Sequence, residues 1–312
     1  MTPSRTSTNQ SKLVIAVLTC SRPVLLKAAL DSLSKLVPPK EIQMELLLVD
    51  NAEETPAIDI FTECRPHLPF PAKYVLEPQR GLSYARNRAI SHCLQTNAQW
   101  LIFLDDDETV QPDWILQLMQ IQQRHKAFLI TGKINKLFPQ DAPAWSYAAL
   151  ETTDYQNGDE CYELDTGNSM IHADVFRQLL FDPQFALSGG EDSDYSAQAK
   201  KLGFRIVYAQ HAVVNEDVQP YKLTLSWNLK RSFRGGCARA GIDKKLYGVS
   251  IVPRKIVRGC LTLLKAIFRI AIARSRTERV LALMSAMQGL GLCLGSLGVS
   301  FSEYSPQNYQ AQ

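Results

Sequence analysis

At 312 residues, 46% hydrophobic and 21% charged, the chain has enough core material for one large domain or a domain with an appendage. A net charge of +3 gives no global case for nucleic acid, although the basic residues crowd into the C-terminal third. Seven scattered cysteines with no Cys-x-x-Cys pair argue against a zinc site or disulfide framework and for a reducing cytosol.

Residues 1–12 are polar with no apolar core, which suits a loose tail and not a secretory signal. Leu13–Leu18 is a compact apolar run, the expected first strand. Thr19-Cys20-Ser21-Arg22-Pro23 turns the chain into a helix with Pro23 at its first position, and Leu26, Leu30, Leu33 and Val37 recur at helical spacing. Pro38-Pro39 stops that helix. Leu46–Val49 predicts a second strand ending in Asp50-Asn51, an acid placed either to meet a ribose hydroxyl or base N–H or to form a turn. Residues 52–72, with four prolines, read as a loop with one helical turn, and Lys73–Leu76 as a third strand. Gln79 to Arg88 opens a helix running to about Leu94. Arg80, Arg86 and Arg88 near its amino end suit an anionic ligand, or simply a solvated basic face.

Leu101–Leu104 then runs straight into Asp105, Asp106 and Asp107. A continuous apolar run fits a strand buried on both faces, whose carboxyl end is where open α/β sheets bind ligands. Alternation along extended chain lets Asp105 and Asp107 point the same way. Two converging carboxylates repel unless a cation sits between them, and hard oxygen ligands favour Mg²⁺ or Mn²⁺. The alternative is a solvated acidic turn.

A helix follows from about Pro112 to His125, then a strand over Phe128–Thr131. Repeated strand–helix alternation indicates an α/β domain with a mostly parallel sheet. Residues 133–165 lose regularity and mix aromatics with acids. Thr166-Gly167-Asn168-Ser169 precedes a helix near Ala173, and Gly189-Gly190-Glu191-Asp192-Ser193-Asp194 opens another over Asp194–Leu202. Acids at a helix amino end stay ionised there, although they are also ordinary capping. Arg205–Ala209 is a further strand.

Arg231 and Arg234 lie three apart on one helical face and suit a phosphate clamp. From Pro253 to Ala273, Arg254, Arg258, Lys265 and Arg269 form a basic stripe beside Ile256, Val257, Leu261, Leu264, Ile267, Phe268 and Ile272. That is the pattern of a helix on an anionic membrane surface, shared by a helix packed on its own domain. Val280–Ser302 carries no charge over 23 residues, but its glycines and serines favour a membrane-seated or domain-packed hairpin over a crossing.

Taken together, these residues resemble the family-2 inverting glycosyltransferases of the GT-A fold, over about residues 13–240, with the region 241–312 similar to bacterial polysaccharide-assembly members. The order and spacing of the motifs carry the resemblance. They are the opening turn after Thr19, Val49-Asp50-Asn51, Gly81 through Asn87, Asp105-Asp106-Asp107, Gly190-Glu191-Asp192 and Arg231 through Gly235. One departure is Asn215-Glu216, where many relatives carry a histidine.

The resemblance implies a Rossmann-like GT-A catalytic domain at 13–240, after a tail at 1–12, with a membrane-associating helical region at 241–312. It implies donor binding by Thr19, Asp50, Arg80, Arg86, Asp105, Asp106, Arg231 and Arg234, and a divalent metal, Mn²⁺ or Mg²⁺, held by Asp107 and Asp105. Asp192 is the expected catalytic base, with Glu191 the alternative. The expected activity is hexosyl transfer from a nucleotide-sugar donor, a UDP-sugar first, to a glycan or lipid-linked acceptor, at the cytoplasmic face of a membrane. Two rivals stand beside it. Asp105-x-Asp107-x-Thr109 also fits haloacid-dehalogenase-like phosphoryl transferases, although there the motif ends the first strand. A non-catalytic membrane-docking protein would leave both acidic clusters without a role.

Overall fold

The structure is a computed structural model that describes residues 11–52, 57–150 and 155–300. Eight strands form one sheet: β1 (Ser11–Thr19), β2 (Ile42–Asp50), β3 (Ala72–Leu76), β4 (Trp100–Asp105), β5 (Glu108–Val110), β6 (Leu129–Leu137), β7 (Asn168–His172) and β8 (Ile206–Asp217), in the order β3-β2-β1-β4-β7-β6-β8-β5. β3, β2, β1 and β4 run parallel, as do β6 and β8, while β7 and β5 run against their neighbours. Helices α1 (Pro23–Leu33), α2 (Ala57–Cys64), α3 (Leu82–Gln95), α4 (Trp114–His125), α5 (Ala144–Leu150), α6 (Ala173–Phe176) and α7 (Glu191–Lys201) surround it. A C-terminal group follows: α8 (Leu225–Tyr247), α9 (Val252–Ile272) and α10 (Arg276–Ser296).

The apolar runs form strands because both faces of the sheet are covered. Leu13, Ile15 and Val17 pack with Leu26, Leu30 and Leu33 of α1 and Trp114 of α4. The alternate residues Val14, Ala16 and Leu18 pack with Ala85, Ala89 and Ile90 of α3 and with Tyr195 of α7. Each such side chain contributes about 1.5–3 kcal/mol when fully buried, so the central strands have no half-polar pattern to slip against. The strand ends on one edge are thereby fixed in space, and the expected site motifs follow one of them or open a helix, except for Arg231 and Arg234, which lie inside α8.

Several boundaries differ from the sequence expectation for physical reasons. α1 stops at Leu33, leaving Val37 54% exposed, because Ser32 and Ser34 turn their hydroxyls onto the carbonyls of Ala29 and Asp31. The loop expected over 52–72 holds α2, two turns long, which buries Ala57, Phe61 and Cys64. Regularity continues past 133, with β6 reaching Leu137 and α5 beyond it. Residues 168–172, read only as leading into the helix near Ala173, form β7. Asn168 is fully buried there: its amide donates to the carbonyls of Lys133 (3.0 Å) and Ala212 (2.8 Å), and its carbonyl accepts from the Trp114 indole (2.9 Å). This plugs the register shift between β6 and β8 at Gly132, where a Cβ would overlap the Asn168 side chain. α7 begins at Glu191, three residues before its expected start. Ser11 and Lys12, expected in the tail, already belong to β1, and residues 1–10 lie outside the described part.

α8 crosses the expected boundary at 240 without a break. Lys245 anchors it to the domain through Asp182 (2.5 Å) and Asp194 (2.8 Å). α10 lies against α8 and α9 at backbone distance. A Cβ at Gly291 would overlap the Phe233 carbonyl, and one at Gly295 would sit 2.6 Å from the Cys237 Cα. Three of the glycines that made 280–302 weakly hydrophobic, Gly289, Gly291 and Gly295, are thus the contact surface of α10, while Gly298 lies beyond it in open space; residues 301 and 302 lie outside the described part.

Candidate active site

The carboxyl ends of β1, β2 and β4, the amino ends of α3 and α7, and the start of α8 enclose a cleft of about 310 Å³. Thr19, Arg80, Arg86, Asp105, Asp106, Asp107, Glu191, Asp192, Arg231 and Arg234 all line it, so the expected site residues converge with one exception. Asp50 does not line the cleft: it is fully buried, and its carboxylate accepts from the Tyr74 hydroxyl (2.9 Å) and the Ala52 amide (3.0 Å). Its neighbour Asn51 does line it, donating to the carbonyls of Glu77 (2.9 Å) and Gln79 (2.8 Å) and accepting from the Gly81 amide (2.7 Å). That stitches the end of β2 to the start of α3, where Gly81 has φ 131° and its Cα faces Ala186 too closely for a side chain.

The three aspartates have different surroundings. Asp106 accepts from the Thr19 hydroxyl (2.7 Å) and Arg22 (3.3 Å), tying the turn after β1 to the acidic loop. Asp107 meets Arg22 (3.6 Å) and Lys222 (3.1 Å). Asp105 is pushed up to about 7 by burial, against the pull of Arg86 and with the charges of Asp107, Asp165 and Asp106 adding to the rise. Burial likewise holds Asp106 and Asp165 at about 6 and raises Glu108 well above the usual carboxylate range.

The two candidate bases are not equivalent. Arg86 and Glu191 form an ion pair with side chains 3% and 5% exposed. Burial raises Glu191 despite Arg86, and Arg86 is raised because Glu191, Asp105 and Asp192 outweigh its desolvation. Asp192 follows in the first turn of α7 with its carboxylate at the cleft, accepting from the Ser193 amide (2.7 Å). Gly190, at φ 92°, lets this turn approach Ala238 of α8.

Residues that sequence reading did not assign to the site complete it: Arg22, Glu108, Lys136, Asp165, Glu216, Tyr221, Lys222 and Trp227. Glu216 pairs with Lys136 (2.7 Å) and Lys222 (2.7 Å), which overcome its burial and hold it at about 2. Trp227 carries the Arg231 guanidinium over its ring at 5.4 Å. Glu216 is the register partner of Glu108 on β5 and of Lys136 on β6, long-range pairings that no contiguous motif announces.

The donor set is one of hard oxygens and fits Mg²⁺ or Mn²⁺. Among the described residues no three His, Cys, Asp or Glu side chains converge on one point. An ion held at Asp107 and Asp105 would complete its coordination with oxygens from phosphate and water, as open catalytic sites do.

A curled sheet ending in an acidic loop, a carboxylate-bearing helix start and a basic helix closing the cleft define a GT-A glycosyltransferase. Solved structures similar to this chain bear out the fold. A mannosyltransferase from Pyrobaculum calidifontis, in complex with GDP-Man and Mn²⁺, superposes with a TM-score of 0.62 at 16% identity, over 93% of this chain and 88% of its own. TarS 1–349 of S. aureus, in complex with UDP, gives 0.51 at 14% identity over 91% and 90%. Residues 14–180 match glycosyl transferase family 2, and the chain belongs to that family. It is 30% identical over 230 residues to the succinoglycan biosynthesis protein ExoM of Rhizobium meliloti (strain 1021), covering 71% of this chain and 72% of that one. It is 23% identical over 186 residues to a glucosyl-dolichyl phosphate glucuronosyltransferase of Haloferax volcanii, covering 54% of this chain and 57% of the relative.

Proposed function

We propose that this glycosyltransferase moves a hexosyl group from a nucleoside-diphosphate sugar, a UDP-sugar first, to an acceptor hydroxyl with inversion. The convergence of Asp105–Asp107, Asp192 and the basic residues of α3 and α8 on one cleft carries the reading. Asp107, with Asp105 beside it, would hold a divalent ion, which would supply positive charge against the departing diphosphate. Arg80, Arg231 and Arg234, with Arg86 behind them, add fixed positive charge around the same groups. Thr19 and Asp106 hold the acidic loop against the first turn, and Asn51 shapes the wall for the nucleotide, with Asp50 ordering that wall from behind. Asp192 takes the proton from the acceptor hydroxyl as it attacks the anomeric carbon from the face opposite the leaving diphosphate. Glu191 is held by Arg86, which leaves Asp192 the carboxylate able to meet an acceptor. One base and no enzyme nucleophile suffice for single displacement.

The acceptor is a lipid-linked or polysaccharide glycan, and the enzyme works at the anionic cytoplasmic face of a membrane. The relatives' names support the acceptor class. α9 supports the location: Val257, Leu261, Leu264, Ile267, Phe268 and Ile272 are all more than half exposed, beside exposed Arg254, Arg258, Lys265 and Arg269. α10 is long and apolar enough to cross a bilayer by length and composition, but its glycine face is engaged by α8 and α9, which favours a seated hairpin.

A screen of sugar nucleotides with Mn²⁺ or Mg²⁺ against lipid-linked glycans tests the reading. Release of a nucleoside diphosphate and a product of inverted anomeric configuration is expected. Release of inorganic phosphate without sugar transfer favours the phosphoryl-transferase rival, and metal-independent inertness favours the docking protein.

A further inference from the structure

The Lys222 ammonium stands where a second cation would be expected. It bridges Asp107 Oδ2 at 3.1 Å and Glu216 Oε1 at 2.7 Å, inside the cleft, with its own side chain 17% exposed and the two carboxylates 8% and 9%. Both acids are placed by the sheet. Asp107 directly precedes β5, and the first residue of β5, Glu108, is the register partner of Glu216 on β8. Their oxygens thus converge on one cation position by backbone pairing. Glu216 is held from its other side by Lys136 Nζ at 2.7 Å, which orients the carboxylate with one oxygen left for a ligand.

Lys222 itself is attached differently. It sits in the turn Pro220–Leu223, and the turn is pinned by its backbone: the Lys222 carbonyl accepts from buried Asn228 at 2.7 Å. The long side chain can therefore leave the acids without moving the chain.

We propose that Glu216 joins Asp107 in ligating the divalent cation, with Asp105 beside Asp107, and that Lys222 fills the position Asp107 and Glu216 share until metal and nucleoside diphosphate arrive together. This rests on the metal-dependent reading above. A divalent ion alone must displace an ammonium already neutralising both acids, so it gains little. With a diphosphate present, phosphate oxygens complete the ion's coordination and offer the displaced ammonium a charge-assisted hydrogen-bond partner. Metal and nucleotide then favour each other, and the coupling is reciprocal. The arrangement keeps the donor-free site closed to stray divalent ions and gives Lys222 a donor-binding role that begins only on exchange.

The test is Mn²⁺ binding to the full chain, read by the electron paramagnetic resonance signal of free Mn²⁺ and by calorimetry, without nucleotide and with UDP or GDP. Wild type should bind Mn²⁺ weakly alone and at least about tenfold tighter with the matching nucleotide. Lys222→Met should bind Mn²⁺ alone about tenfold tighter than wild type, and the nucleotide should then add less. Lys222→Arg, which keeps the charge, should behave like wild type, and Glu216→Gln should weaken Mn²⁺ with or without nucleotide. Thermal unfolding of the same samples establishes that each variant is folded, and the arginine and glutamine variants carry the test where Lys222→Met is not. Unchanged Mn²⁺ affinity in Lys222→Met, or in Glu216→Gln, overturns the exchange while leaving metal-dependent donor binding standing. Wild type that binds nucleotide equally in EDTA and in Mn²⁺ overturns the metal-dependent reading itself, and the exchange with it.

Discussion

At the scale of single residues the site is a surplus of negative charge partly answered by built-in cations, and this sets Asp192, the base expected from the sequence, apart from its alternative Glu191. Glu191 shares a buried ion pair with Arg86, whereas the Asp192 carboxylate lies at the cleft and accepts from the Ser193 amide. Asp192→Asn should therefore fold normally and bind donor normally while turnover falls roughly 10²–10⁴-fold, the usual range for losing a general base. Glu191→Gln leaves a buried guanidinium without its counter-charge, a loss of about 3 kcal/mol, so its failure should appear first as a lower thermal midpoint. Calorimetry, turnover and unfolding on both variants decide it; an inactive but fully stable Glu191→Gln beside an active Asp192→Asn would exchange the two roles. The same surplus sets a pH dependence. Asp105 at about 7 and Asp106 and Asp165 at about 6 lie above their ordinary value of 3.8, so each holds its proton more firmly when folded. Their contribution is complete below the ordinary value and is lost as pH rises through 6 to 7. Glu216, held at about 2, acts oppositely and only in strong acid. In EDTA the unfolding midpoint should fall between about pH 5 and pH 7.5, and Mn²⁺ with UDP should restore more of it at the higher pH. A midpoint that rises steadily across that range would contradict the assignment.

At the scale of elements, the close approach of α10 to α8 is the feature most open to test. Gly291→Val must push α10 away from the Phe233 carbonyl, at a cost of about 1–3 kcal/mol or more. Gly235→Ala, next to the interface residue Gly236 but facing open space, should instead be neutral or stabilising by about 0.5–1 kcal/mol, since it removes a helix-interior glycine. Paired thermal unfolding curves check both; equal effects would mean that the helices do not meet as described. These elements also show what was legible beforehand. Leu13–Leu18 and Leu101–Leu104 read plainly because burial on both faces demands unbroken apolar runs. β7 did not, because Asn168 resembles a turn residue until Trp114, Lys133 and Ala212 surround its amide. The acidic triplet, the Gly-Glu-Asp helix start and the arginines of α8 are contiguous motifs and could be placed in the site. Lys136, Glu216 and Lys222 could not, since each belongs to it only through the pairing of β6 and β8 or a turn beyond, and nor could Asp165, in the irregular stretch ahead of β7.

At the scale of the whole molecule, the C-terminal helices give the enzyme a face unlike the rest of its surface. Lys255, Gly259 and Ala266 of α9 are buried toward the protein, Lys255 in an ion pair with Asp243. With 3.6 residues per turn, Val257, Leu261, Leu264 and Phe268 then point directly away from it, and Arg254, Arg258, Lys265 and Arg269 run along one flank. Such a helix lies in the plane of a bilayer surface, its apolar side at the headgroup boundary and its cations among anionic lipids. Each cation near such a surface contributes about 1 kcal/mol, so the flank alone gives a sizeable but salt-sensitive attraction. Apolar insertion is not screened. Full-length protein should therefore sediment with anionic vesicles at low salt and partly remain bound at high salt. Charge neutralisation of the four flank residues should remove the salt-dependent part. Leu264→Glu with Phe268→Glu should remove the rest without unfolding the chain, because both side chains are already exposed, 63% and 64%. Point variants are the right instrument here, since truncation at about residue 248 would strip α10 from α8 and expose Gly236 and Cys237. Wild-type protein that ignores anionic vesicles at low salt would remove the membrane from the proposal and leave the cleft chemistry untouched.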